Sequence, residues 1–215
     1  MQSKDKEAVD MYYYENICKD SDLNLICGVD EAGRGPLAGP VCAAAVILDE
    51  KHKIEGLNDS KKISPKKRQK LFEDIKKYSL AYAVTFIDND TIDKINILQA
   101  TMLAMRRSVE NLKIKPDIVL IDGPSDPYSP YLYEEINSLC IIKGDQLSAS
   151  IAAASIAAKV CRDQLMEEID KQYPEYEFKR HKGYGTKLHF DMIDKYGISP
   201  IHRKTFLKKH FAAHE

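Results

Sequence analysis

The chain has 215 residues, 44% hydrophobic and 30% charged, which is enough apolar material for a core and rules out a disordered chain. Its 32 Lys+Arg and 33 Asp+Glu leave a formal charge of −1, so no global excess of charge marks it as a polyanion binder. The longest apolar run, Val41 to Leu48, is far short of the ~18 residues a membrane span needs, and the charged start Met1-Gln2-Ser3-Lys4 lacks a signal-like apolar stretch, so a cytoplasmic protein is expected.

Residues 1–22 read as a polar N-terminal extension, with Tyr12-Tyr13-Tyr14 in a short helix. Leu23 to Val29 is an apolar strand that runs into Asp30-Glu31-Ala32-Gly33-Arg34-Gly35-Pro36, and Pro40 to Leu48 is a second buried strand. A basic loop over 49–68 leads into a helix from about Pro65 to Lys77, then a strand over Leu80 to Ile87. The next helix is predicted from Asp90 or Thr91 to Leu112, with Ile95, Leu98, Met102 and Met105 on one face, and Lys115-Pro116 stops it. Strands at Ile118–Ile121 and Leu139–Ile142 flank a Pro- and Tyr-rich loop over 123–131. Leu147, Ile151, Ala154, Ala158, Cys161 and Leu165 then trace one stripe of a helix whose small residues allow close packing on a sheet. One α/β domain over 23–215 is expected, with a helical, basic subdomain from about 172 onward. The five cysteines contain no C-x-x-C pair, so buried free thiols are expected and zinc ligation by cysteine is disfavoured.

Charge is distributed unevenly. Residues 51–70 carry a net +6 and residues 179–210 a net +7, leaving −14 for the remainder. A charge run alone reads as a solvated helix face, but two such segments in an acidic chain point to a groove that a polyanion visits.

Three strands each deliver carboxylates at their carboxyl ends: Asp30 and Glu31, Asp122, and Asp145. That is the rim where open α/β sheets place their sites. Converged there, four carboxylates repel one another unless cations neutralise them, and hard oxygen donors select Mg²⁺ or Mn²⁺. Each residue also has an ordinary alternative. Asp145 can cap the following helix, Asp122 before Gly-Pro can be a turn residue, and adjacent Asp30 and Glu31 point to opposite faces unless the strand ends or bulges. The loop Gly33-Arg34-Gly35-Pro36-Leu37-Ala38-Gly39 fits neither a dinucleotide fingerprint nor a phosphate loop, since its spacing differs and prolines forbid the helix start. It is either a tight bend between strands or a place where bare backbone and an arginine approach a sugar-phosphate chain.

The run Gly28-Val29-Asp30-Glu31-Ala32-Gly33-Arg34-Gly35-Pro36-Leu37-Ala38-Gly39-Pro40-Val41 resembles the signature of ribonuclease HII, the type 2 ribonuclease H family. The resemblance continues through Asn58-Asp59-Ser60-Lys61-Lys62, Ile121-Asp122-Gly123, Lys143-Gly144-Asp145, Ser148 to Val160, Lys182-Gly183-Tyr184-Gly185-Thr186 and Pro200-Ile201-His202-Arg203. It implies an RNase H-like fold, a mixed five-stranded sheet flanked by helices with a C-terminal helical region. It implies an endonuclease that cuts the RNA strand of RNA·DNA hybrids and incises 5′ of single ribonucleotides in duplex DNA, leaving 3′-hydroxyl and 5′-phosphate ends. It assigns Asp30, Glu31, Asp122 and Asp145 as catalytic residues and ligands of two divalent ions, Mg²⁺ or Mn²⁺. Asp145, where ribonuclease HIII has Glu, favours type HII.

On this resemblance Gly33, Arg34, Gly35 and Tyr184 are the candidates for reading the 2′-hydroxyl, and Lys61, Lys62, Arg180 and Lys182 for holding phosphates. His202-Arg203 is expected to be structural, at the start of the last helix, and the other histidines to be solvated or internally satisfied. A monomer is expected, with no membrane partner. The competing readings are another carboxylate-and-metal nuclease of the same fold and a non-catalytic hybrid-binding module.

Overall fold

The computed structural model describes residues 10–124 and 136–212, so the loop expected over 123–131 falls mainly outside it. Strand β1 (Ile26–Ala32) pairs antiparallel with β2 (Val41–Leu48), and β2 antiparallel with β3 (Ser79–Ile87). On its other side β1 pairs parallel with β4 (Ile118–Asp122), and β4 parallel with β5 (Asn137–Ile141). The sheet order is therefore β3-β2-β1-β4-β5, the mixed five-stranded sheet that the sequence predicts.

The strands are apolar without alternation where helices cover both faces. In β2 every residue from Val41 to Ile47 is buried. Alternate residues divide between two cores. Val41, Ala43, Ala45 and Ile47 join Ala100, Ala104, Met105 and Val109 of α3 (Asn89–Glu110). Cys42, Ala44 and Val46 join Phe72 and Ile75 of α2 (Pro65–Tyr78) and the alanines of α4 (Ala149–Gln172).

Helix α4 is more deeply placed than a single stripe predicts: every residue from Ala149 to Ala158 is buried. Small residues are required there because α4 crosses β1 almost backbone to backbone. A Cβ at Gly28 would lie 2.0 Å from the Ser150 carbonyl carbon. The start of α4 is fixed by Ser148, whose hydroxyl accepts from the Ile151 N–H, and by Glu15 of α1 (Tyr13–Asp20). The Glu15 Oε1 accepts from the Ser148 hydroxyl at 2.6 Å and the Ser150 N–H at 2.9 Å, so α1 is pinned to the body of the domain.

Helix α3 departs from its predicted face. Asn96 adopts φ 66°, ψ 165°, which breaks the helix, and its side chain accepts from the Gln99 N–H at 3.1 Å to cap the second half. The predicted stripe assumed one continuous 3.6-residue period. Across the break Ile95 and Leu98 turn outward while Met105 stays in the core.

The C-terminal region consists of α5 (Phe178–His181), α6 (Lys187–Tyr196) and α7 (Lys204–Ala212), joined to the Gly-rich loop by a bridge between Ala38 and His202.

Candidate active site

The β1–β4 pairing ends with Val29 opposite Ile121, and β4–β5 pairing places Asp122 opposite Ile141. Asp30 and Asp122 are thus the next residues on neighbouring parallel strands, about 4.8 Å apart in strand spacing. The expectation that β1 must end or bulge for Asp30 and Glu31 to share a site is not met. The strand continues regularly, with Asp30 opposite Ala44 and Glu31 opposite Ala43. It is β4 pairing that stops, so β1 overhangs its parallel neighbour and both carboxylates border the open rim. Asp145 lies in a single 3₁₀ turn, Gly144–Gln146, directly after β5; Ser148, not Asp145, caps α4.

Asp30 is 5% exposed and accepts from the Glu31 N–H at 2.7 Å. Burial, then the neighbouring charges of Glu31 and Asp122, push its carboxyl well above the usual range, against a hydrogen bond from Ser155. Burial also raises Glu31, opposed by the Arg34 guanidinium 3.6 Å away and by Lys61. Asp122 is raised by burial although the Gly144 N–H donates to it at 2.7 Å. Asp145 is pushed up to about 6, first by burial and then by Asp122 and Asp59. The four carboxylates assigned from the sequence therefore sense one another through Asp122.

Sequence reasoning missed Asp59, a fifth carboxyl of the cluster, itself buried, whose charge helps to raise Asp145. It lies inside the Asn58-Asp59-Ser60-Lys61-Lys62 motif, and the motif was the available signal. Lys61 acts on Glu31, Asp122 and Asp145, so it supplies the cluster's own counter-charge.

Four or five carboxylates with one lysine and one half-exposed arginine remain under-neutralised, and their mutual repulsion adds to burial in raising Asp30, Glu31 and Asp145. Such a donor set fits hard divalent cations. Among the described residues no three side chains close on one point at ligand distance as they stand, so the fit rests on donor chemistry and charge rather than on a finished cage.

The Gly-rich loop lies beside this rim, joined to it through the Arg34–Glu31 pair. Its glycines serve different ends. Gly33 (φ +92°) and Gly39 (φ +81°) are needed for packing: a Cβ would sit 2.0 Å from the Arg162 Nε and 2.4 Å from the Met166 Sδ respectively. Only Gly35 is free to approach another molecule; its ideal Cβ meets nothing nearer than the Tyr184 ring at 3.7 Å. Tyr184 is 42% exposed, with Lys159 Nζ and Arg162 Cζ each 5.9 Å from its ring centre. The structure therefore brings together the loop, Tyr184 and the carboxylate rim.

Of the other cations predicted for phosphates, Lys62 lies at the same rim, donating to Gln146 at 2.9 Å with Asp59 3.9 Å away. Arg180 and Lys182 are engaged elsewhere, with Glu177 at 2.7 Å and Glu167 at 2.7 Å. Three histidines are satisfied internally. His189 Nδ1 faces the Tyr184 carbonyl at 3.0 Å and must carry its proton there, so its Nε2 accepts from His202 Nε2 at 3.0 Å. His202 Nδ1 then accepts from the Ser199 N–H, and His181 bridges the Tyr176 carbonyl and the Gly183 N–H. Burial holds both His189 and His202 down to about 4. The neutral chain fixes the backbone on which Tyr184 sits.

Residues 27–214 match the family model described as Ribonuclease HII. A Ribonuclease HII from Caldicellulosiruptor bescii is 59% identical over 184 residues, which cover 86% of this chain and 87% of that protein. Among solved structures, the ribonuclease H2 of Pyrococcus horikoshii OT3 superposes with a TM-score of 0.70 at 31% identity, over 84% of this chain and 92% of its own. Bst-RNase HIII, solved in complex with Mn²⁺, has a TM-score of 0.64 at 23% identity, over 85% of this chain and 64% of its own.

Proposed function

The chain belongs to the ribonuclease HII family, metal-dependent endoribonucleases that act on RNA·DNA hybrids, and from that premise we propose that it cuts hybrid RNA strands and incises 5′ of single ribonucleotides in duplex DNA, leaving 3′-hydroxyl and 5′-phosphate ends. The observation that carries this reading is the contact between two chemistries: a self-repelling carboxylate rim, and a loop with one unobstructed glycine, Gly35, facing Tyr184.

Asp30 and Asp122 are the ligands that would be shared by two divalent cations, Mg²⁺ or Mn²⁺, with Glu31 and Asp145 each completing one site. Bound there, such ions supply activation of the attacking water and neutralisation of the leaving 3′-oxygen. Ser155 and the Gly144 N–H hold the Asp30 and Asp122 carboxylates in place. Lys61 stabilises the rim's negative charge until the scissile phosphate and its cations arrive. The backbone of Arg34 and Gly35 meets the 2′-hydroxyl, a group that both donates and accepts, Gly33 being packed on Arg162 behind them, and Tyr184 covers the adjoining sugar. Lys61, Lys62, Arg180 and Lys182 border the path of the phosphates, the last three released from their surface partners at little cost.

A panel of duplexes differing by one ribose, incubated with Mg²⁺, Mn²⁺ or chelator, tests the proposal. A single divalent-dependent cut 5′ of the ribose is expected. Equal cutting of all-DNA duplex would make the chain a general nuclease, and binding without cutting would make it a recognition module.

A further inference from the structure

Arg162 and Arg203 are both 0% exposed. Burying a guanidinium is costly unless its N–H groups find acceptors. Arg203, just ahead of α7, directs its donors at one loop: Nε to the Gly39 carbonyl at 2.9 Å, Nη1 to Arg34 at 2.9 Å and Nη2 to Gly33 at 2.7 Å. Arg162 supports the same loop further along, at the Pro40 and Ala38 carbonyls, and reaches the Lys182 carbonyl at 3.0 Å. The Phe206 ring, 5.2 Å from the Arg203 guanidinium carbon, flanks it.

Peptide geometry turns this grip into an orientation. In a trans peptide the carbonyl of one residue and the N–H of the next point in opposite directions. No cis peptide occurs among the described residues. With the Gly33 and Arg34 carbonyls held inward on Arg203, the N–H groups of Arg34 and Gly35 must point away from the interior. Neither donates a hydrogen bond among the described residues. Two successive outward N–H groups form a concavity that suits an anionic or hydroxyl oxygen.

We infer that Arg203 is a positioning residue for ribonucleotide selection, aiming the Arg34 and Gly35 N–H groups at the substrate sugar by binding the carbonyls behind them. The inference rests on the reading of the loop given above and extends it to a residue that never touches substrate.

Affinity is measured by fluorescence anisotropy, with chelator present so that nothing is cut, for a DNA duplex holding one ribonucleotide and for its all-DNA twin. Arg203→Lys keeps the charge but cannot grip both carbonyls; Arg203→Gln is the second variant should the lysine not melt cooperatively. The preference for the ribonucleotide duplex is expected to fall about tenfold, with all-DNA affinity changing less than about twofold. Leu207→Ala, fully buried on α7, is the control: it lowers the melting temperature and leaves the preference intact. A preference that survives in the folded Arg203 variant, or that falls equally in Leu207→Ala, overturns the positioning role alone. A wild-type chain with no preference at all overturns the loop reading on which it rests.

Discussion

Asp145 shows how one residue carries the logic of the site. Its carboxyl is pushed up to about 6 in the folded chain from an ordinary value of 3.8. A raised carboxyl means the folded state holds the proton more tightly, so Asp145 costs stability above pH 6 and nothing below the unfolded value. Asp145→Asn is therefore expected to stabilise the metal-free protein by on the order of 2 kcal/mol at pH 8 and negligibly at pH 3.5, read from urea melts at each pH; an equal effect at both would remove the electrostatic account. Tyr184 makes a different claim. Tyr184→Ala should lower kcat/KM on a single-ribonucleotide duplex by about tenfold or more while weakening duplex binding under about threefold, and equal losses would count against a role at the sugar. The strand-end carboxylates were legible in the sequence because buried strands reject charge in their interior, so a carboxylate after an apolar run marks the sheet's rim. Asp59 was not, because it follows no strand and sits among lysines that read as a solvated loop. Arg203 was expected to be structural, but its burial and its grip on the loop, like those of Arg162, were illegible for a related reason: nothing in a single sequence separates a buried arginine from an exposed one.

At the level of elements, the site depends on how closely α4 approaches β1. Ser155 on α4 reaches Asp30 on β1 only because Gly28 lets the helix backbone sit against the strand. Gly28→Ala places its new carbon within 2.0 Å of the Ser150 backbone, which cannot yield as a side chain could. A loss of more than about 3 kcal/mol in stability is expected from denaturant unfolding, and a loss under 1 kcal/mol would show that the contact is looser than described. Most strand and helix bounds followed from apolar periodicity within a residue or two, although β1 lies three residues further along than expected, and the parallel placement of β1, β4 and β5 that the carboxylates required is present. Two details escaped. The break at Asn96 resets the buried face of α3, and a polar residue inside an apolar pattern gives no sign that it has left the helix. The overhang of β1 beyond β4 also could not be read, because pairing length is set by where the partner strand turns away.

For the whole molecule, a near-neutral total hides two basic segments beside an acidic remainder, and the carboxylate rim needs cations before any phosphate can approach. Duplex affinity is expected to fall steeply between 50 and 200 mM salt, roughly in proportion to the number of phosphates neutralised, and a flat profile in anisotropy titrations would make the basic segments ordinary surface. We propose that Asp30 and Asp122, next to each other on parallel strands and both raised by burial, are the shared centre of a metal-dependent cut. Single-turnover cleavage of an RNA·DNA hybrid in Mg²⁺ or Mn²⁺, by wild type and by Asp30→Asn and Asp122→Asn, tests it most directly. Each variant should lose cleavage by at least about a thousandfold while melting no lower than wild type, since each removes a desolvated, self-repelling charge. Near-normal cleavage by either folded variant would contradict the account.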